Sequence, residues 1–129
     1  MPVELKVLGY AALLQFVQFI IMAIPVNWQL GVAYTGGNRD EQKQATGVAG
    51  RLKRALENHF EGLILFTIAV LVVTLGEASS QLTEYCAWAY LWARILYVPA
   101  YASGVYLVRS LIWSVGFVAT AVMLIAALA

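Results

Sequence analysis

The chain has 129 residues, of which 62% are hydrophobic and 12% are charged, and its formal net charge is +1. A soluble globular domain is about 45–50% apolar and about 25% charged, so this composition nearly excludes a soluble enzyme. The small net charge offers no basic surface for nucleic acid, and one cysteine with one histidine cannot build a zinc site. Strong hydrophobicity excludes intrinsic disorder. The composition therefore predicts a small integral membrane protein.

Four apolar stretches separate the few charged residues. A helix needs about 20 apolar residues to cross a bilayer, and the chain carries no charge between Lys6 and Arg39 or after Arg109. The predicted membrane spans cover about residues 5–28, 47–75, 82–103 and 110–128 of a single domain, residues 1–129. We therefore expect an all-α fold, a bundle of four mostly antiparallel transmembrane helices.

The charges in the connections predict the orientation of the chain. Residues 36–54 hold five basic side chains, namely Arg39, Lys43, Arg51, Lys53 and Arg54. Arg109 lies at the third connection, so the positive-inside rule places the first and third connections in the cytoplasm. The segment from Gly36 to Asp40 is predicted to be a turn and an exposed loop. The compact loops favour a bacterial inner membrane.

Polar side chains follow one face of the second span. At about 100° per residue, four of them fall within a sector about 80° wide, namely Arg51, Arg54, Asn58 and Glu61. His59 points away from this sector and is predicted to have no catalytic role.

A second polar face follows the third span. Its members are Tyr90, Arg94, Tyr97 and Tyr101, spaced by 4, 3 and 4 residues. A charge in the bilayer costs at least a few kcal/mol, so Glu61 and Arg94 are expected to meet. Two interpretations stay open at this point: an ion pair that only sets the helix register, or a site for a small, multiply charged ligand.

The remaining polar and aromatic residues can also be explained without a role in ligand binding or catalysis. Arg109 and Ser110 begin the predicted fourth span, either as an anchor at the membrane surface or as a cation and a hydroxyl aimed at a reacting atom. Trp28 and Trp113 are predicted to be interfacial belt residues. Cys86 lies at the far end of the third span from the polar faces and is predicted to be inert.

Two motifs resemble the MAPEG family, the membrane-associated proteins of eicosanoid and glutathione metabolism. They are Arg51-x-x-Arg54-Ala-x-x-Asn58-x-x-Glu61, and Ala93-Arg94-Ile-Leu-Tyr97-Val-Pro-Ala-Tyr101 followed by Arg109-Ser110. The resemblance implies a homotrimer of four-helix bundles that binds glutathione between adjacent subunits near the cytoplasmic face. It implies a membrane transferase or peroxidase that attacks a lipophilic electrophile with an activated glutathione thiolate.

The resemblance also assigns roles to residues of this chain. Arg109, with Ser110, matches the region that activates the thiol, so these two are the expected catalytic residues. The matches to glutathione-contacting positions are Arg54, Asn58, Glu61, Tyr97 and Tyr101, and the polar faces add Arg51 and Arg94 to the expected binding set.

Two departures from the family pattern keep an alternative open. The first span ends without the arginine that several eicosanoid-pathway members carry there, and Glu57 precedes Asn58 where the prostaglandin-synthase type has a base. Both departures remove positive charge from the expected site. The alternative is a non-enzymatic protein of the same fold that binds a lipid or another small anionic ligand. A small transporter or channel fits less well, because the chain has no inverted repeat.

Overall fold

The computed structural model describes residues 1–37 and 43–129, and this part of the chain contains helices and turns without strands. The helices are α1 (Val3–Leu30), α2 (Val32–Thr35), α3 (Gly47–Leu75), α4 (Gln81–Ser103) and α5 (Tyr106–Leu128). Helices α1, α3 and α5 are long and apolar enough to cross a membrane, and α4 is not among these three. The predicted loop at Asn38, Arg39 and Asp40 lies outside the described residues.

The start of α5 differs from the sequence prediction. The helix begins at Tyr106 rather than at Ser110, so Arg109 and Ser110 lie inside it. The reason is a tight reversal after α4, where Gly104 adopts a left-handed conformation with φ 81°. Glycine adopts this conformation without steric cost, and the chain therefore turns over Gly104 and Val105 alone.

Contacts near the helix ends show how the connections are arranged. At one end, Nε of Arg51 at the start of α3 donates to the carbonyl oxygen of Ala102 near the end of α4, at 3.0 Å. At the other end, Oε1 of the fully buried Glu4 accepts from Ser79 Oγ at 2.7 Å and from Thr83 Oγ1 at 3.0 Å. The first and third connections therefore lie at one end of the bundle, opposite the N-terminus and the second connection.

The hydrophobic core lies in the half of the bundle that contains Glu4, here called the packed half. Phe66 of α3 and Tyr90 of α4 stack there, with ring centroids 3.9 Å apart and planes 7° from parallel. The other buried members of this core are Val7, Ala11, Ala69, Val70, Val73, Ala87, Leu91, Ala119 and Met123. The alanines allow close approach of the helices, and van der Waals packing is what holds helices together in lipid.

Candidate functional site

A cavity of about 280 Å³ lies between α3, α4 and α5, in the half of the bundle away from the core. We call it the polar cavity. Its lining contains six of the nine predicted site residues together with one tryptophan, namely Arg54, Asn58, Tyr97, Tyr101, Arg109, Ser110 and Trp113.

Helix periodicity explains why these side chains converge. Residues four apart lie on the same face of a helix, one turn above the other. Each of the three helices contributes one such pair to the polar cavity, namely Arg54 with Asn58, Tyr97 with Tyr101, and Arg109 with Trp113. The early start of α5 is essential to this arrangement, because Arg109 reaches the cavity from a helical position.

The ring of Tyr101 lies close to two guanidinium groups. The Cζ atom of Arg109 is 4.6 Å from the ring centroid and that of Arg54 is 5.9 Å from it, so each cation gains a cation–π contact. In the described parts of the chain, no carboxylate forms an ion pair with either arginine. Two positive charges that no carboxylate of the described residues neutralises make the polar cavity suitable for an anionic ligand.

A second cavity, of about 400 Å³, adjoins the polar cavity and shares Asn58 and Trp113 with it. We call it the apolar groove. Most of its wall is hydrophobic and is formed by α3 and α5, including Leu65, Phe117 and Leu124. Its charged members, Glu61 and Arg94, lie near Asn58, where the groove meets the polar cavity. Tyr90 and Thr120 line it nearer the core.

Arg94 lies at the polar end of the groove and is only 5% exposed. Its Nη1 donates to Oδ1 of Asn58 at 2.8 Å. The expected contact between Arg94 and Glu61 is wrong: no ion pair joins them in the described residues, although both line the groove. Arg94 takes this position because Gly62 of α3 has no side chain, and the Arg94 guanidinium occupies the space that a side chain there would fill.

Two other residues lie away from the polar cavity. Arg51 lies against the end of α4, where it bonds to Ala102, and it does not line the cavity. Glu57 does not line the polar cavity and instead lines a cavity of about 760 Å³ beside α1. The negative charge of Glu57 therefore lies outside the polar cavity, which reduces its effect on an anion bound there.

Sequence analysis missed two members of the site. Trp113, expected at the membrane interface, lines both the polar cavity and the apolar groove; its position four residues after Arg109 was the available signal. No sequence pattern indicated a role for Gly62, because that role depends on the position of the Arg94 guanidinium, at the far end of a side chain of α4. His59 lines neither cavity and is buried, with Nε2 3.0 Å from the carbonyl oxygen of Ala11.

The family model for the MAPEG family matches residues 7–129, which include every residue that lines the polar cavity and the apolar groove. No curated protein and no solved structure matches the chain. The match covers nearly the full chain, and three of its helices are apolar enough to cross a bilayer, so this is an integral membrane protein. The chain belongs to the MAPEG family.

Proposed function

We propose that the protein is a glutathione-dependent membrane transferase or peroxidase that acts on lipophilic electrophiles. The observation that carries this proposal is the polar cavity, where Arg54 and Arg109 lack a carboxylate partner within the described residues. Glutathione is a small peptide with two carboxylates, and a guanidinium binds carboxylate through its planar fork. The family includes glutathione transferases and peroxidases, which agrees with this choice of ligand.

In this proposal Arg109 stabilises negative charge on the sulfur of bound glutathione. A free thiol has a pKa of about 8.5 and is mostly protonated at pH 7, whereas the thiolate is the nucleophile. Lowering that pKa by about 2 units requires about 2.7 kcal/mol of differential stabilisation. One close positive charge at low effective dielectric supplies this amount. Ser110, beside Arg109 in the cavity lining, offers a hydroxyl hydrogen bond to the same sulfur.

The apolar groove is the proposed path for the electrophile. Its volume of about 400 Å³ falls within the usual range for ligand sites, about 300–1,000 Å³. Its hydrophobic wall suits a molecule that arrives from the bilayer. Because Asn58 and Trp113 belong to both cavities, the electrophile would meet the thiolate at their shared boundary.

We further propose that α1, α3, α4 and α5 all cross the membrane as one domain of a homotrimer. Helix α4 has 23 residues and is about 34 Å long, enough for a bilayer core of about 30 Å. Arg54 and Ser110 are exposed in the single chain, and a neighbouring copy would shield them from lipid. The particle in detergent is expected to contain three chains, and a fully active monomer would contradict this assembly.

The basic residues of the first connection support a cytoplasmic location for the polar cavity, in a bacterial inner membrane. Lys43 and Lys53 lie at the same end of the bundle as the cavity, and the positive-inside rule places that end in the cytoplasm. A cysteine-reactive probe that cannot cross membranes tests this in intact cells carrying Lys43→Cys in a Cys86→Ala background, because the native Cys86 lies near the opposite end of the bundle and could be labelled from outside. Labelling without permeabilisation would contradict the proposed orientation.

Thiolate formation tests the proposed activity directly. Glutathione added to the purified protein near neutral pH should give a saturable ultraviolet thiolate signal. The signal should disappear in Arg109→Ala and persist in Lys53→Ala, which removes one positive charge outside the polar cavity. An unchanged signal in Arg109→Ala would remove the assigned role from this residue.

The same experiment separates catalysis from the non-enzymatic alternative. The apolar groove, with Arg94 at its polar end, is compatible with binding a lipid or another small anionic ligand. A native protein that gives no thiolate signal, keeps its oligomer and co-purifies with lipid would support that alternative against the enzyme.

A further inference from the structure

We infer that Gly62 and Arg94 are positioning residues that orient the amide of Asn58, so that Asn58 offers a hydrogen-bond donor to the polar cavity. The inference rests on the proposed function and specifies the ligand chemistry at this wall. The group that binds to Asn58 would be an acceptor, a carbonyl or carboxylate oxygen of glutathione.

The orientation of the Asn58 amide follows from the chemistry of its partner. Amide oxygen and nitrogen are assigned from the hydrogen bonds that each makes. A guanidinium has donors only, so the atom 2.8 Å from Nη1 of Arg94 must be the oxygen of Asn58. The amide nitrogen keeps two N–H donors, for which the described chain provides no partner. Asn58 also lines the polar cavity, where a ligand can accept from these donors.

Arg94 is held in place before any ligand binds. Its Cζ atom lies 5.5 Å from the ring centroid of Tyr90 and 5.3 Å from that of Tyr97. The guanidinium also packs directly over Gly62, where a Cβ atom would lie 2.9 Å from Cζ and closer still to Nη2. Two aromatic rings and one glycine therefore determine the position of the N–H donors of Arg94. A donor that is positioned in advance reduces the entropy lost on binding.

A side chain at position 62 would break this arrangement without breaking the fold. The atoms that a new Cβ would meet belong to the far end of a long side chain, so the Arg94 guanidinium can move aside. Asn58 would then lose the bond that sets its orientation. A ligand carboxylate in the polar cavity would lie beside the guanidinium donors of Arg54 and Arg109. A reversed Asn58 amide would turn its oxygen toward that carboxylate, and the two oxygens would repel each other.

The test compares two glycines of helices that pack against α4, the half-buried Gly62 of α3 and the buried Gly116 of α5. In Gly62→Ala the new methyl group displaces Arg94, whereas in Gly116→Ala it would lie 3.6 Å from Cδ2 of Tyr90, an ordinary contact. Both changes raise helix propensity equally, so the second variant controls for stability. We expect Gly62→Ala to weaken glutathione binding by about tenfold, the value of one lost hydrogen bond. Gly116→Ala should leave the affinity unchanged.

Two further variants separate a positioning role from a general structural effect. Asn58→Asp keeps an oxygen for Arg94 but replaces the donor with an acceptor, and should weaken glutathione binding by at least about tenfold. Arg94→Met removes the bond that orients the amide. If Gly62 acts through Arg94, Gly62→Ala should cause no further loss in the Arg94→Met background. Fully additive losses in the double variant would overturn the inference.

A second readout does not depend on glutathione. The side-chain amide signals of Asn58 in a ¹⁵N spectrum of the ligand-free protein should shift in Gly62→Ala and stay in place in Gly116→Ala. Signals that do not move in Gly62→Ala would overturn the inference even if the native protein binds no glutathione. Absence of binding by the native protein would count against the proposed function instead, so the two failures are distinguishable.

Discussion

The two halves of the bundle use the same helices for different purposes. In the packed half, α3, α4 and α5 contribute Phe66, Tyr90 and Met123 to a core in which these side chains are fully buried. In the other half, the same three helices surround the polar cavity, and the apolar groove extends from this cavity toward the core. Helix association in lipid depends on close packing, because lipid removes the hydrophobic force between helices. Close packing at one end therefore allows unfilled space at the other, together with guanidinium groups that no carboxylate in residues 1–37 and 43–129 neutralises.

Tyr90 lies where the two halves meet. Its ring stacks on Phe66 of the core, and Arg94, which bonds to Asn58, lies 5.5 Å from the centroid of the same ring. The core thus supports one side of the residue that orients the site. Stability and binding are expected to respond to different substitutions on either side of this residue.

The largest effect on stability is expected from the core. Phe66→Ala removes the stack with Tyr90 and leaves a cavity among fully buried side chains, at a cost of about 3 kcal/mol. Unfolding in mixed detergent micelles measures this change. Phe16→Ala makes the same truncation at a side chain that is 70% exposed and should cost far less. Equal losses in the two variants would show that the core does not dominate stability.

An opposite pattern is expected in the polar cavity. Arg54→Gln removes one of the two guanidinium groups that line the polar cavity, so glutathione affinity should fall by about 10- to 100-fold, as for a lost charge-assisted hydrogen bond. The free energy of unfolding should fall by no more than about 1 kcal/mol, the value of the cation–π contact with Tyr101, because Arg54 forms no ion pair within the described residues. Calorimetry in detergent measures both quantities. Lys53→Gln, one residue away and outside the cavity, is the matched control, and an equal loss of affinity there would indicate nonspecific attraction.

The sequence predicted the elements well because the charges are sparse and the polar side chains are periodic. The long uncharged stretches located α1 and α5, and the spacing of Arg54 with Asn58 and of Tyr97 with Tyr101 identified the faces that line the polar cavity. Helical periodicity determines which face a residue occupies. It does not determine where the far end of a long side chain lies.

The errors arise from that limit. Glu61 and Arg94 were expected to pair because both are charges in apolar surroundings, yet Arg94 reaches Asn58 over the open space at Gly62. Trp113 was predicted to be an interfacial belt residue, and its place in the wall of the polar cavity was missed because the extra turn of α5 could not be foreseen. A close approach of one side chain to another backbone has no sequence signature other than an unexplained glycine.

The smallest effect on glutathione affinity is expected at Arg51. A variant at this position tests whether Arg51 belongs to the binding site or only stabilises the fold. Sequence spacing placed Arg51 with the ligand residues, whereas the structure places its Nε 3.0 Å from the carbonyl oxygen of Ala102 and outside the polar cavity. Arg51→Met keeps most of the side-chain volume and removes one hydrogen bond, so the free energy of unfolding should fall by about 1 kcal/mol. Glutathione affinity should change by less than threefold, because no donor in the cavity is lost. A loss of affinity as large as that of Arg54→Gln would show that Arg51 leaves the end of α4 to bind the ligand, and the binding face would then extend one turn further along α3.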